Sequence, residues 1–251
     1  MADTDIRIQK VLSDYGILSR RKAEDAIAKK RITVNGHPCQ IGQKINPRRD
    51  IIAIDGVRVP LERSKKICIV LNKPRGYVTT TEDEQGRKCV ADLVANAPAK
   101  VYPIGRLDRN SEGLLLLTND GALANDIMHP SGHISKTYRV TVRPEINEDQ
   151  ILRLTTGVEL DGKMTLPAVV HVASQEPGRS VIQITIYEGR NRQIRRMCES
   201  VGLEIARLRR SSVGPIKLGM LPPGKWRELK PEELKALRGS IQKAQRRAQN
   251  G

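Results

Sequence analysis

The sequence predicts an α+β protein in two parts. A small N-terminal module of helices and short strands is followed by a larger domain around one large, mainly antiparallel mixed sheet. Three observations carry this. Apolar residues recur at helical spacing near the N-terminus and in only a few later segments. Most other segments alternate with a period of two or form short apolar runs, bounded by turn pairs such as Asn35-Gly36, Asp55-Gly56 and Asp161-Gly162. The length of 251 residues, 38 % of them hydrophobic and none Phe, allows two domains whose cores must be built from Ile, Leu and Val.

In the first module, residues 1–62, Ile8, Val11, Leu12 and Tyr15 share one helical face, and Gly16 is placed to stop that helix. Ser19 can cap a second helix over about 20–30, with Ala23, Ala26 and Ile27 inward. The period then changes. Ile32 to Val34 and Ile51 to Ile54 each run into a tight hairpin turn. Residues 63–66 are polar and unpatterned and read as a linker.

The second domain is expected over 67–238. Ile67 to Leu71 reads as a strand, Lys73 to Gly76 as a turn, and Tyr77 to Thr81 as renewed β-prone chain. A short helix is expected at Val90 to Ala95, a buried strand at Leu114 to Leu117 and a helix through Leu123 and Ile127. Strands follow at 136–142, 169–172, 180–187 and 203–208, with helices at 148–155 and 194–201. From about 239 to 251 the composition suggests a basic tail.

The net charge is +16, a footprint of nucleic-acid binding. No segment has the h-region of a secretory signal or the length to cross a bilayer, so a cytoplasmic protein is expected. The four cysteines form no C-x-x-C pair and read as reduced thiols. Neither a G-x-G-x-x-G after a strand nor a G-x-x-x-x-G-K-[ST] occurs, which argues against nucleotide cofactors. His129 and His133 have metal-pair spacing, but Pro130 and Gly132 between them break a helix, so no metal site is expected.

Two regions carry chemistry. Arg20, Arg21 and Lys22 open the second helix and Lys29 and Lys30 close it. Cations at a helix N-terminus oppose its dipole, which a bound phosphate would offset. Asp108 stands in a polar loop between two apolar segments. On local sequence alone a turn-capping carboxylate is the better account, and a glycosidase-like pairing with Glu112 is weak because loop geometry leaves their separation open. Residues 190–210 hold seven arginines and two glutamates, a bias that suits planar contacts to phosphate or carboxylate. One of these arginines beside Asp108 would hold it ionised.

Here two resemblances enter. Arg7 to Leu12, Ser19 to Ala23 and Ile32 to Gly36 make the first module similar to S4-type RNA-binding domains. Asn72 to Gly76, Gly105-Arg106-Leu107-Asp108, Leu114 to Gly121, Lys136-Thr137-Tyr138, Glu188 to Arg196 and Arg207 to Arg210 make the second domain resemble the RsuA/RluB family of ribosomal RNA pseudouridine synthases.

The resemblance implies that uridine in RNA is isomerised to pseudouridine without cofactor or metal. It implies that Asp108 is the essential carboxylate, Tyr138 stacks on the target base, Arg195 pairs with Asp108, and Leu208 packs beneath the base. Arg106 would fill the space that the flipped uridine leaves. Arg20, Arg21, Lys22, Lys29, Lys30, Arg106, Arg190 and Arg192 are the expected RNA contacts, and Glu112 is expected to be structural. The expected partner of a monomeric enzyme is ribosomal RNA, 23S ahead of 16S. The alternatives are an RNA-binding assembly factor without catalysis and an RNA N-glycosylase.

Overall fold

The computed structural model describes residues 5–62, 65–129 and 134–249. The chain divides into two compact units, one formed by the residues up to Lys66 together with Asn119–Gly121, the other by the remainder.

The first unit contains β1 (Ile6–Arg7), α1 (Ile8–Asp14), α2 (Arg20–Ala28), β2 (Ile32–Val34), β3 (His37–Pro38), β4 (Lys44–Ile45), β5 (Ile52–Ile54) and β6 (Val57–Arg58). β1 pairs with β4, and a four-stranded antiparallel sheet runs β3-β2-β5-β6. Gly16 ends the first helical segment at φ +72°, a conformation that costs glycine little. Ser19 caps α2, its Oγ accepting from the Lys22 N–H at 3.2 Å. Both hairpin turns take positive φ at their two central residues, Asn35-Gly36 and Asp55-Gly56, as their sequences predict. Ile8, Leu12, Ala23, Ile27, Ile32 and Ile52 form the core.

The second unit contains β7 (Cys68–Lys73), α3 (Val90–Leu93), β8 (Tyr102–Pro103), β9 (Glu112–Thr118), α4 (Gly121–Met128), β10 (Lys136–Arg143), α5 (Glu148–Thr156), β11 (Glu159–Leu160), β12 (Lys163–Met164), β13 (Val169–Glu176), β14 (Arg179–Ile186), α6 (Gln193–Ser200), β15 (Glu204–Val213), β16 (Ile216–Lys217), β17 (Trp226–Glu228) and α7 (Pro231–Gln249). One nine-stranded sheet runs β13-β14-β10-β15-β9-β7-β17, with β16 on β15 and β8 on β9. Its pairings are antiparallel except that between β15 and β9.

Both faces of this sheet are covered. Along β7, Ile69 and Leu71 enter one core and Cys68 and Val70 the other; along β9, Leu115 and Leu117 oppose Leu114 and Leu116. Residues of α3, α5 and α6 pack in the first core, and those of α4 and α7 in the second. A strand buried on both faces reads as a continuous apolar run, which explains Leu114 to Leu117.

One expectation is corrected. Tyr77 to Thr81 is no strand; its β-prone residues make a single bridge, Val78 to Cys89. Residues 239–249, expected as a basic tail of frayed helix or disordered chain, are helical: α7 runs to Gln249 and buries Leu237 and Ile241 in the second core. Three apolar residues at helical spacing, Leu234, Leu237 and Ile241, outweigh the polar composition.

Gly113 marks the closest approach of two strands. Its φ is +104°, and a Cβ there would lie 2.3 Å from the carbonyl oxygen of Arg210. Gly113→Ala is therefore expected to cost about 3 kcal/mol, from backbone strain and the separation of β9 from β15, read as a lower urea midpoint.

Candidate active site

Asp108 sits in the loop between β8 and β9, its side chain 35 % exposed. The loop is braced from below. Lys73, fully buried at the end of β7, donates from Nζ to the carbonyls of Ser111 at 2.8 Å, Asp108 at 3.0 Å and Pro74 at 3.1 Å. Thr79 brackets the preceding residue: its hydroxyl donates to the Leu107 carbonyl at 2.6 Å and accepts from the Leu107 N–H at 3.2 Å. The Gly76 N–H donates to the Arg109 carbonyl at 2.8 Å, and the Ser111 N–H to that of Asp108 at 3.0 Å.

α6 delivers the counter-charge. Arg195 Nε lies 3.6 Å from Asp108 Oδ2 and Arg192 Nη1 lies 3.9 Å from the same oxygen. Arg195 is largely buried, and its Nη2 donates to the Asn110 carbonyl and Ser111 Oγ, both at 3.3 Å. Its Nε is buried without an acceptor at hydrogen-bond distance, so the link to Asp108 is an ion pair with room to tighten. Burial holds the Arg195 guanidinium below its ordinary value, Asp108 opposing and Arg192 and Arg75 adding to that effect. Arg192, the residue before α6, is left-handed at φ +48°, a strained conformation for a side-chain-bearing residue that recurs at functional sites.

The turn before α6 is locked internally. Gln193 donates from Nε2 to Glu188 at 2.8 Å and accepts from the Arg190 N–H at 3.0 Å. Arg190 donates to Glu188 at 3.0 Å, to the Lys163 carbonyl at 2.9 Å and to that of Met164 at 2.5 Å. Arg190, expected to contact RNA, uses these donors to tie the turn to the β11–β12 hairpin. Arg196 likewise pairs with Asp161 at 2.6 Å.

A cavity of about 640 Å³ opens between these elements. Asp108, Tyr138, Arg195 and Leu208 all line it, together with Arg106, Arg190 and Arg192. Tyr138 on β10 and Leu208 on β15 are buried, and Arg106 is exposed at the rim. The site thus unites an accessible carboxylate, two flanking guanidinium groups, an aromatic ring and an aliphatic floor. Glu112 faces elsewhere, accepting from Arg207 Nε at 2.6 Å. His129 also lines the cavity, while His133 lies outside the described residues. Among the described residues no group of three or more His, Cys, Asp or Glu could hold a metal ion.

The expected RNA contacts of the first unit stay in that unit. Arg20, Arg21 and Lys22 are exposed at the N-terminus of α2, and Lys30 is exposed beyond its end. Lys29 is exposed too but pairs with Asp25 at 2.9 Å.

Two supporting residues are not predicted by the sequence: Lys73, in the Asn72 to Gly76 stretch, and Thr79, in β-prone chain. The available signal was Lys73 itself, a cation directly after an apolar strand, where only a fully bonded ammonium is tolerated.

Burial lowers Lys73 to about 8, and Lys136 likewise to about 8. Both ordinary values are 10.5, so between pH 8 and 10.5 the unfolded chain binds more protons than the folded one. The cost of burying these charges is present in full below pH 8, and these two groups should raise the unfolding free energy as pH climbs through that window. Lys73→Met should show a smaller rise between pH 8 and pH 10 in urea melts. At pH 7 it should be about 3 kcal/mol less stable than wild type, because three carbonyls lose their donor.

Comparison with known proteins identifies the arrangement. A family model described as RNA pseudouridylate synthase matches residues 67–200, and the S4 domain model matches residues 6–51. The ribosomal large subunit pseudouridine synthase B of Bacillus subtilis is 42 % identical over 235 residues, which covers 92 % of this chain and 95 % of its own. The dual-specificity RNA pseudouridine synthase RluF of Escherichia coli is 38 % identical, covering 93 % of this chain and 79 % of its own. A crystal structure of a pseudouridylate synthase superposes with a TM-score of 0.67 at 28 % identity, over 92 % of this chain and 99 % of that one. With its carboxylate loop, arginine helix and S4 module in one chain, the protein belongs to the RsuA/RluB-type family of RNA pseudouridine synthases.

Proposed function

We propose that this enzyme converts uridine to pseudouridine in the RNA of the large ribosomal subunit, 23S rRNA, and that Asp108 is its essential carboxylate. The observation that carries the role of Asp108 is its position: a single accessible carboxylate in the cavity, flanked by Arg192 and Arg195. The large-subunit substrate is supported by the likeness to synthase B of Bacillus subtilis.

The target nucleotide leaves its stack and enters the cavity with Tyr138 against the base and Leu208 beneath it. Arg106, exposed at the rim, takes up the space left in the RNA. Cleavage of the N1–C1′ bond develops positive character at C1′, which the Asp108 carboxylate stabilises or captures. The flanking guanidinium groups of Arg192 and Arg195 hold the Asp108 carboxylate in place. Braced at its own carbonyl and at both neighbouring turns, Asp108 loses little entropy on reaching its working position. The S4 module holds the RNA through Arg20, Arg21 and Lys22, whose side chains surround the α2 N-terminus, where free N–H groups also favour phosphate.

Asp108→Asn should bind 23S transcripts with wild-type affinity and form no pseudouridine in them. Pseudouridine mapping of both 23S and 16S transcripts checks this, and modification of 16S alone would overturn the proposed substrate. Replacing Arg20, Arg21 and Lys22 with Gln should weaken RNA binding. It should also lower the slope of log affinity against log salt by about 2–3, the effect of losing three phosphate contacts.

A further inference from the structure

The cavity floor carries charge that none of these roles uses. Six cationic side chains line the cavity, Arg106, Lys136, Arg190, Arg192, Arg195 and Arg210, against two carboxylates, Asp108 and Glu188. Glu188 is taken by Arg190 and Gln193, and Asp108 by Arg192 and Arg195. Lys136 and Arg210 have no carboxylate at ion-pair distance among the described residues. Lys136 Nζ donates to the Ile134 carbonyl at 3.1 Å. Arg210 is 4 % exposed, donates from Nε to the Leu114 carbonyl at 2.7 Å, and has a buried Nη2 with no acceptor.

Strand register places the two cations around the tyrosine. Lys136 precedes Tyr138 by two residues on β10 and so shares its face of the sheet. Arg210 stands directly opposite Tyr138 across the β10–β15 pairing. Two cations with no carboxylate at ion-pair distance in a desolvated floor cost stability, and each raises the cost of the other. Burial, then Arg210, with Glu188 opposing, holds Lys136 at about 8, which also makes its ammonium a stronger donor. Such an arrangement is complementary to an anion that arises only when substrate is present.

The reaction supplies that anion. When the N1–C1′ bond breaks, its electron pair stays on the uracil, spread over N1, O2 and O4. C1′ is compensated by a bond from an Asp108 oxygen or by loss of the C2′ proton to it. The uracil then turns and C5 gives its electron pair to C1′, as the Asp108–C1′ bond breaks back onto the carboxylate or as Asp108 returns the proton to C2′; the C5 proton then leaves and N1 gains one, so neither electrons nor protons change in sum.

We propose that Lys136 is a further catalytic residue, donating from Nζ to a carbonyl oxygen of the detached uracil, while the fixed charge of Arg210 opposite Tyr138 holds that anion in the pocket as it turns. The assignment rests on the uridine chemistry proposed above and extends it from the sugar side of the broken bond to the base side.

The test compares Lys136→Met with wild type in single-turnover reactions on 23S and 16S transcripts made with uridine or with 5-fluorouridine. Fluorine stabilises the uracil anion and so replaces part of what the lysine supplies. With uridine, Lys136→Met should lose about 100-fold in rate, the usual effect of removing one donor to a developing anion, with RNA affinity unchanged. With 5-fluorouridine, the deficit in glycosidic-bond cleavage, read by nuclease digestion and chromatography, should shrink at least about tenfold relative to that loss. Lys136→Arg, which keeps the charge, should recover part of the rate. An equal deficit on both transcripts, or a Lys136→Met rate within threefold of wild type, overturns the proposal. If Lys136→Met melts below the assay temperature, Lys136→Gln, neutral and of similar length, carries the same comparison. The wild-type reaction on each transcript reports separately on the proposed substrate.

Discussion

One buried ammonium sets the geometry on which the site depends. Lys73 occupies the end of β7, opposite Gly113 of β9, and its Nζ gathers three carbonyls from the turn on one side and the Asp108 loop on the other. A fully buried cation is tolerable only when its donors are satisfied. The loop must therefore fold down onto Lys73, which leaves its carboxylate turned toward the cavity. The glycine opposite is equally constrained, since Arg210 of β15 approaches its backbone too closely for any Cβ. Register then carries the row onward: Lys73 pairs with Gly113, Gly113 with Arg210, Arg210 with Tyr138. The brace, the close contact, the unpaired cation and the aromatic ring occupy one line across the sheet, so a slip in any of these pairings would dismantle the site.

The same line explains why the fold accepts its electrostatic cost. Lys73 and Arg210 are buried near one another, Lys136 lies close by, and Arg195 is desolvated above Asp108. A protein selected for stability alone would fill such positions with aliphatic residues. Instead, two continuous aliphatic cores, one on each face of the sheet, offset the penalty. Leu114 to Leu117 exemplifies the division: alternate leucines serve opposite cores, while Gly113 immediately before them leaves room for the backbone of Arg210.

How much of this was legible in the sequence follows from which signals were local. Ser19, Gly16 and the Asn35-Gly36 and Asp55-Gly56 turns act on their own neighbours, and each does what its chemistry predicts. The convergence of Asp108, Tyr138, Arg195 and Leu208 was legible only through resemblance, because no local rule brings together residues 30 to 100 positions apart. The internal partners of Arg190 are not legible locally either, because the carbonyls of Lys163 and Met164 come from a distant hairpin. Thr79 was read by propensity as strand, yet its hydroxyl is used to clasp Leu107. α7 is so rich in Glu, Gln, Lys and Arg that its composition hides the helical spacing of Leu234, Leu237 and Ile241.

The position of the cavity follows from the topology. Among the described residues β9 and β15 make the only parallel pairing in the sheet, and they are joined over just two residue pairs, Glu112 with Arg209 and Gly113 with Arg210. Antiparallel ladders on either side are longer and keep each half of the sheet rigid. At the seam between the halves the strands part, and the cavity is lined by Asp108 and Leu116 from one half and by Tyr138, Leu208 and Arg210 from the other. Ligand sites in open sheets favour such seams, because diverging strands leave room without breaking a ladder. In the proposed reaction the sugar would stay against Asp108 on one half of the sheet while the uracil turns against Tyr138 and Leu208 on the other, so the seam would supply the separation of sugar and base that the isomerisation requires.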